Sequence, residues 1–147
     1  MAKRRLGMLV MALVFGMTVV GCASWGAPRT FVRGQASSTT IMLRQGLDPE
    51  QAFREVSFIL LQNNFLTEIL QPEAGFIRTN WINVHTRRGG QIDDSYQVRV
   101  SVTFNPSRTQ VTLNVEARRD VNGNWHTGSD TAITEDLRTT LMMSVGN

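Results

Sequence analysis

The sequence predicts an α+β domain in which an antiparallel sheet of four to five strands carries two amphipathic helices on one face, in the order β-α-β-β-β-β-α. Three observations lead there. Two consecutive segments, Ser95 to Phe104 and Thr109 to Arg119, alternate apolar and polar residues and are joined by a four-residue turn. One helical segment with a capping signal precedes them and another follows. The chain has 147 residues and no internal repeat, which suits a single domain with one core.

Ahead of that domain, assigned to residues 39–147, lie a targeting segment (1–21) and a tether (22–38). Lys3, Arg4 and Arg5 lead into an uncharged run from Leu6 to Val20. Such a run is short for a hydrocarbon core that needs roughly 20 residues and suits the apolar part of an export signal. Gly7 and Gly16 disfavour a permanently buried helix. The run ends in Val19-Val20-Gly21-Cys22, which resembles the lipobox of bacterial lipoproteins, with valine where that family most often has leucine. The resemblance implies cleavage between Gly21 and Cys22, a thioether from Cys22 to diacylglycerol, and a further acyl chain on the new amine. Two or more chains anchor a protein stably. Ala23 stands where lipoproteins held in the inner membrane typically carry aspartate, so the same resemblance implies the outer membrane, with the domain facing the periplasm. Cys22 is the single cysteine, so the exported chain has no internal disulfide to form. In the tether, Trp25 and Phe31 either meet a partner or the headgroup interface, or pack on the chain's own domain.

Within the domain, Thr39 to Gly46 opens with a short β-branched stretch. Asp48, Pro49 and Gln51 then form a helix start, with Asp48 as cap, proline at the first helical position and Gln51 in the third place of a capping box. Ala52, Phe53, Val56, Ile59 and Leu60 make one apolar face. Phe65 to Leu70 reads as a strand, Gln71 to Gly75 as a turn, and Phe76 to Val84 as a second strand with Ile77, Thr79 and Trp81 on one side. His85 to Asp94 reads as a polar loop. Tyr96, Val98, Val100, Val102 and Phe104 face one way and Gln97, Arg99, Ser101 and Thr103 the other, the pattern of an antiparallel strand with one wet face. After a turn at Asn105 to Arg108, Val111, Leu113, Val115 and Ala117 repeat the alternation. Asp120 to Asp130 reads as a loop in which Asn122-Gly123 can form a tight turn. Asp130 caps a last helix with Ile133, Leu137 and Leu141 along one stripe.

The charge pattern excludes one class of function. The sequence pI near 10.0 suggests a nucleic-acid partner, but without Lys3, Arg4 and Arg5 the chain has twelve basic and twelve acidic residues. A neutral domain lacks the concentrated positive field that displaces phosphate counterions. Catalytic residues are equally scarce. There is no HExxH, GxSxG, phosphate loop or Cys/His cluster. His85 and His126 fall in the two loops, where they would form a metal site with Asp93 or Asp94 only if those loops met; exposed loop histidines are the plainer reading. Asp93 and Asp94 are adjacent and so point apart rather than forming an acid–base pair. No cofactor, metal or catalytic residue is expected.

Arginines supply the remaining candidates. Arg78 and Arg99 are expected on alternating strands, where neighbouring guanidiniums grip a carboxylate or phosphate, or else pair across the wet face. Arg87 and Arg88, before Gly89-Gly90, suit an anionic headgroup or a protein partner, or a solvated loop. The capped helix, the stretch Asn63 to Trp81 with its Gly75-x-Ile77-x-Thr79-x-Trp81 core, the alternating strands and the last helix together resemble, over roughly residues 39–145, the helix-grip domains of the BamC lipoproteins of the outer-membrane β-barrel assembly machinery. Those proteins carry two such domains and a longer N-terminal segment. The resemblance implies a helix-grip fold and an accessory or scaffold role in outer-membrane assembly or envelope maintenance, through contacts with an envelope protein. The alternative is a module holding an apolar or lipidic ligand between helix and sheet, in a space that Met42, Phe58, Met142 and Met143 would line.

Overall fold

A computed structural model describes residues 28–147. Its strands are β1 (Val32–Arg33), β2 (Ser37–Met42), β3 (Thr67–Gln71), β4 (Phe76–Thr79), β5 (Ile82–Arg88), β6 (Gln91–Phe104), β7 (Gln110–Val121) and β8 (Asn124–Ser129); its helices are α1 (Pro49–Gln62) and α2 (Thr131–Ser144). The α+β class with an antiparallel sheet and two helices stands. The sheet, however, has eight strands among the described residues rather than four to five.

The long β6–β7 hairpin is the axis of the sheet. Along β6 lie β4 and then β5, end to end; along β7 lie β2 and then β8. Beyond them β3 edges β4 and β1 edges β8. The additional strands come from segments that composition alone marks as loops. Residues 85–94 form the far part of a β5–β6 hairpin turning at Gly89-Gly90, and residues 120–130 form the turn and strand of β7–β8. Both turns contain two residues with positive φ, 58° and 85° at Gly89-Gly90 and 56° and 83° at Asn122-Gly123. That conformation matches strand twist and keeps the ladders going. The fold also begins earlier than expected, because β1 and the first residues of β2 lie in the stretch assigned to the tether.

One buried cluster joins the sheet to both helices. Val98, Val100 and Val102 of β6 and Val111, Leu113 and Val115 of β7 are fully covered by Ala52, Phe53, Val56, Ile59 and Leu60 of α1 and Ile133, Leu137 and Leu141 of α2. The helix ends are fixed locally. Asp48 Oδ2 accepts from the Gln51 amide at 2.9 Å, while the Gln51 side chain reaches forward to Glu55. At the other end Asn64 takes φ 65°, and the Phe65 and Asn64 amides return to the Leu60 and Leu61 carbonyls. This double bond is the Schellman arrangement, with buried Phe65 packing under the last turn.

The expected single strand from Phe76 to Val84 breaks in two. Ile77 and Thr79 are buried, but past the break the buried position is Val84, so the inward phase moves from odd to even residues. The buried Thr79 hydroxyl accepts from the Val100 amide at 3.0 Å, filling the gap in the ladder where β4 leaves β6. The consequence is that Trp81 lies on the wet face, opposite to Ile77 and Thr79.

Candidate functional site

On the wet face the phase change puts Trp81 against two arginines. The Arg99 guanidinium lies 4.5 Å from the Trp81 ring centre and that of Arg118 4.1 Å; Arg118 also lies 4.4 Å from Trp125. The register makes this possible, since Arg99 pairs with Glu116 and Gln97 with Arg118 across β6–β7. Arg99 donates to Glu116 at 2.5 and 3.0 Å. Arg118 Nε donates to Gln97 at 2.8 Å, and Gln97 donates to Asn83 at 3.1 Å. Stacked guanidiniums with their N–H groups bonded edgewise are held twice over, by the ring face and by in-plane acceptors.

Arg78 and Arg99 do share this face, because Arg78 pairs with Ser101, two residues from Arg99. Each already has a carboxylate: Arg78 meets Glu68 at 3.1 Å and Arg99 meets Glu116. An incoming anion would have to displace those partners. Arg87 and Arg88 are exposed, at the far tip of the β5–β6 hairpin and away from this pair. Gly21 and Cys22 lie outside the described residues, as does Trp25. His85 and His126 are on strands rather than in loops. His85 pairs with Ser95 on the wet-face phase and His126 with Arg119 on the core-face phase, with β6 and β7 between them, so they do not converge.

On the core face, beyond the helices, Phe31 packs on the domain. Its ring centre is 5.8 Å from that of Tyr96, and the Arg119 guanidinium lies 4.4 Å from it on a side chain ion-paired to Asp94. The Tyr96 hydroxyl donates to Asp130 Oδ2 at 2.6 Å, while Asp130 Oδ1 accepts from the Ile133 amide at 3.0 Å. Burial, and then the bond to Asp130, hold the Tyr96 phenol well above the usual tyrosine range. Asp130 thus caps α2 and ties it to the middle of the sheet.

Between the helices runs an open groove of about 600 Å³ lined by Arg54, Phe58, Ile59, Thr140 and Met143. Phe58 is 58% and Met143 80% exposed there. A polar bridge links the two helices there, with Ser144 donating to Glu55 Oε2 at 2.7 Å. That bond and the one from Gln51 hold the Glu55 carboxyl below the usual range. Met42, Phe58, Met142 and Met143 all face solvent, and Leu137, Leu141 and Val145 fill the space beneath α2. The four residues expected around an enclosed apolar ligand therefore do not enclose one.

The Arg118–Trp81–Trp125 stack is not legible in the sequence because Arg118 and Trp125 come from two strands, β7 and β8, and Trp81 from the break between β4 and β5. One signal for it was present, the shift of apolar residues from Ile77 to Ile82 and Val84. No protein-family model matches the chain, and no curated protein matches it significantly.

Proposed function

We propose that this chain is a lipid-anchored, non-enzymatic protein of the bacterial envelope, held in the outer membrane through acylated Cys22. It acts through protein–protein contacts as an accessory or scaffold in outer-membrane assembly or envelope maintenance. In this reading the two-helix, one-sheet layer is a helix-grip domain that presents its helix pair to a partner. The observation that carries it is the interhelical groove, where Phe58 and Met143 are exposed side by side on a well-packed domain. Large apolar side chains grouped in a groove with a polar rim are how contact surfaces differ from the rest of a protein surface. The anchor supports the same reading from the sequence side, since Val19-Val20-Gly21-Cys22 resembles a lipobox and the domain behind it is formally neutral.

Photo-crosslinking in intact cells tests it. A photoreactive residue at position 58 or 143 is expected to capture one defined envelope protein, and the same residue at exposed Thr103 on the wet face is expected not to. Capture at neither groove position, or equal capture at all three, would overturn the contact reading.

A further inference from the structure

The outer edge of β2 is covered at one end and open beyond it. The Leu43 amide points inward and donates to the Thr109 carbonyl, ahead of β7, at 2.9 Å. Backbone groups alternate in direction along a strand, so those of Ser38, Thr40 and Met42 point away from β7. Arg44 and Met42 show what such outward groups take. The Arg44 amide donates to the Val145 carbonyl at 2.8 Å and the Asn147 amide to the Met42 carbonyl at 3.1 Å, so residues 145–147 run antiparallel beside the end of β2. The N–H and C=O groups of Ser38 and Thr40 and the N–H of Met42 have no partner among the described residues. All three residues are exposed.

Nothing along this stretch deters another backbone. Exposed edges are commonly blunted by charges, bulges or shortness. β3 has a register shift between Thr67 and Ile69, around the charged Glu68, and β5 has one between Thr86 and Arg87; β1 has two residues. By contrast, β2 pairs with β7 without a shift from Ser37 to Met42, and no charged residue lies between Arg33 and Arg44. Open donors and acceptors that alternate at strand spacing are matched by an extended polypeptide, which adds a strand and takes its affinity from main-chain hydrogen bonds.

The strand register also sets the length of the opening. β1 pairs with β8 rather than β7, which puts it one row farther out than β2; Arg33 stands level, through Gly128, with Ala117, and Ser37 with Val115. At the other end Gly146 stands level with Leu43. Between these two stops the outer row is open beside Ser37 to Ile41, about 17 Å at strand spacing. A second copy offering its own β2 would run on through its Leu43 and Arg44 into one of the stops. A segment of about five residues would fit between them. We infer that the open edge of β2 receives a short, extended, uncharged segment of a partner protein as an added strand. This contact goes beyond the interhelical groove and does not depend on it.

The test fills the row from within the chain. Thr-Val-Thr-Val-Thr appended after Asn147 continues the antiparallel register of residues 145–147 and lies opposite Ile41 to Ser37. Thr-Pro-Thr-Pro-Thr has the same length but lacks the amides that would face Thr40 and Ser38. In hydrogen exchange read by mass spectrometry on the full protein in mild detergent, the β2 segment should exchange about tenfold more slowly with the first extension and at the parent rate with the second. In intact cells a photoreactive residue at position 40 should capture one defined envelope protein from the parent and from the proline extension, and about tenfold less of it from the valine extension. Unchanged exchange with the valine extension would mean that the edge takes no strand. Absence of capture from the parent, or capture undiminished while exchange is slowed, would mean that no partner strand uses it, and crosslinked dimers of this chain would give the edge to a second copy. Each of these results overturns the inference. Capture at position 58 should be equal with both extensions, so failure at the sheet edge and failure of the groove reading are seen separately.

Discussion

Removing the Tyr96 hydroxyl should destabilise the domain by an amount set by one buried bond. Tyr96 is 2% exposed and Asp130 0%, and their oxygens are 2.6 Å apart. In Tyr96→Phe the carboxylate keeps its bond to the Ile133 amide but loses its second partner, which costs about 1.5–3 kcal/mol for a bond of this type. Asp130→Ala removes the same bond, strips the cap from α2 and leaves a buried phenol unpaired, which together cost about 2–4 kcal/mol. The two changes share one interaction, so the double variant should lose about 1–2 kcal/mol less than the sum of the singles. Urea unfolding of the soluble chain from Ala23 onward, at unchanged slope, measures all three. Additivity within about 0.5 kcal/mol would refute the claim that this bond ties the helix to the sheet. Alkaline pH gives an independent check. The folded-state pKa is raised above the unfolded one, so the contribution is complete below the unfolded value of about 10. It is lost as pH rises beyond that, because the unfolded chain releases its proton first. Tyr96 is the only tyrosine, so its phenolate absorbance should appear together with unfolding and not before it. Tyr96→Phe should lose the tyrosine part of this alkaline sensitivity.

Three further outcomes follow from the same geometry. A Cβ at Gly128 would collide with the Val32 carbonyl oxygen and would lie 2.9 Å from the Phe31 ring, so Gly128→Ala should push β1 and Phe31 off the sheet. The expected cost is about 1–3 kcal/mol, with faster proteolysis between residues 28 and 36; unchanged protection there would count against the docking of Phe31. Trp81→Ala should cost about 1–2 kcal/mol through two lost guanidinium contacts, and Arg118→Ala in the Trp81→Ala background should cost less than in the parent, as a double-mutant cycle would show. Cys22→Ser is expected to abolish acyl labelling in cells and to accumulate the unprocessed precursor; normal processing of that variant would refute the lipobox reading.

Local signals and long-range pairing divide what can be read in this sequence. Asp48, Asp130 and Asn122-Gly123 act within four residues of themselves, so the local sequence alone reveals the two caps and one tight turn, though not the strand that follows it. The alternation of Tyr96 to Phe104 and of Val111 to Ala117 is likewise complete within each strand. The end-to-end strands are different. Whether Phe76 to Val84 is one strand or two depends on the Val100 amide, twenty-one residues from Thr79, finding an acceptor in the threonine hydroxyl. Trp81 changes face as a result, and with it the identity of the candidate site.

The same division decides which arginines remain available. Arg78, Arg99 and Arg119 lie on the sheet, where the register supplies Glu68, Glu116 and Asp94 at bonding distance. Exchanging such a partner for an outside anion gains little, because the guanidinium is already desolvated against a ring or strand and one hydrogen bond replaces another. Arg87 lies instead at the tip of the β5–β6 hairpin, exposed and apart from that sheet pair. If the groove between the helices meets protein, the sheet's arginines are structural, and substituting Arg78 or Arg99 should alter stability while leaving that contact unchanged.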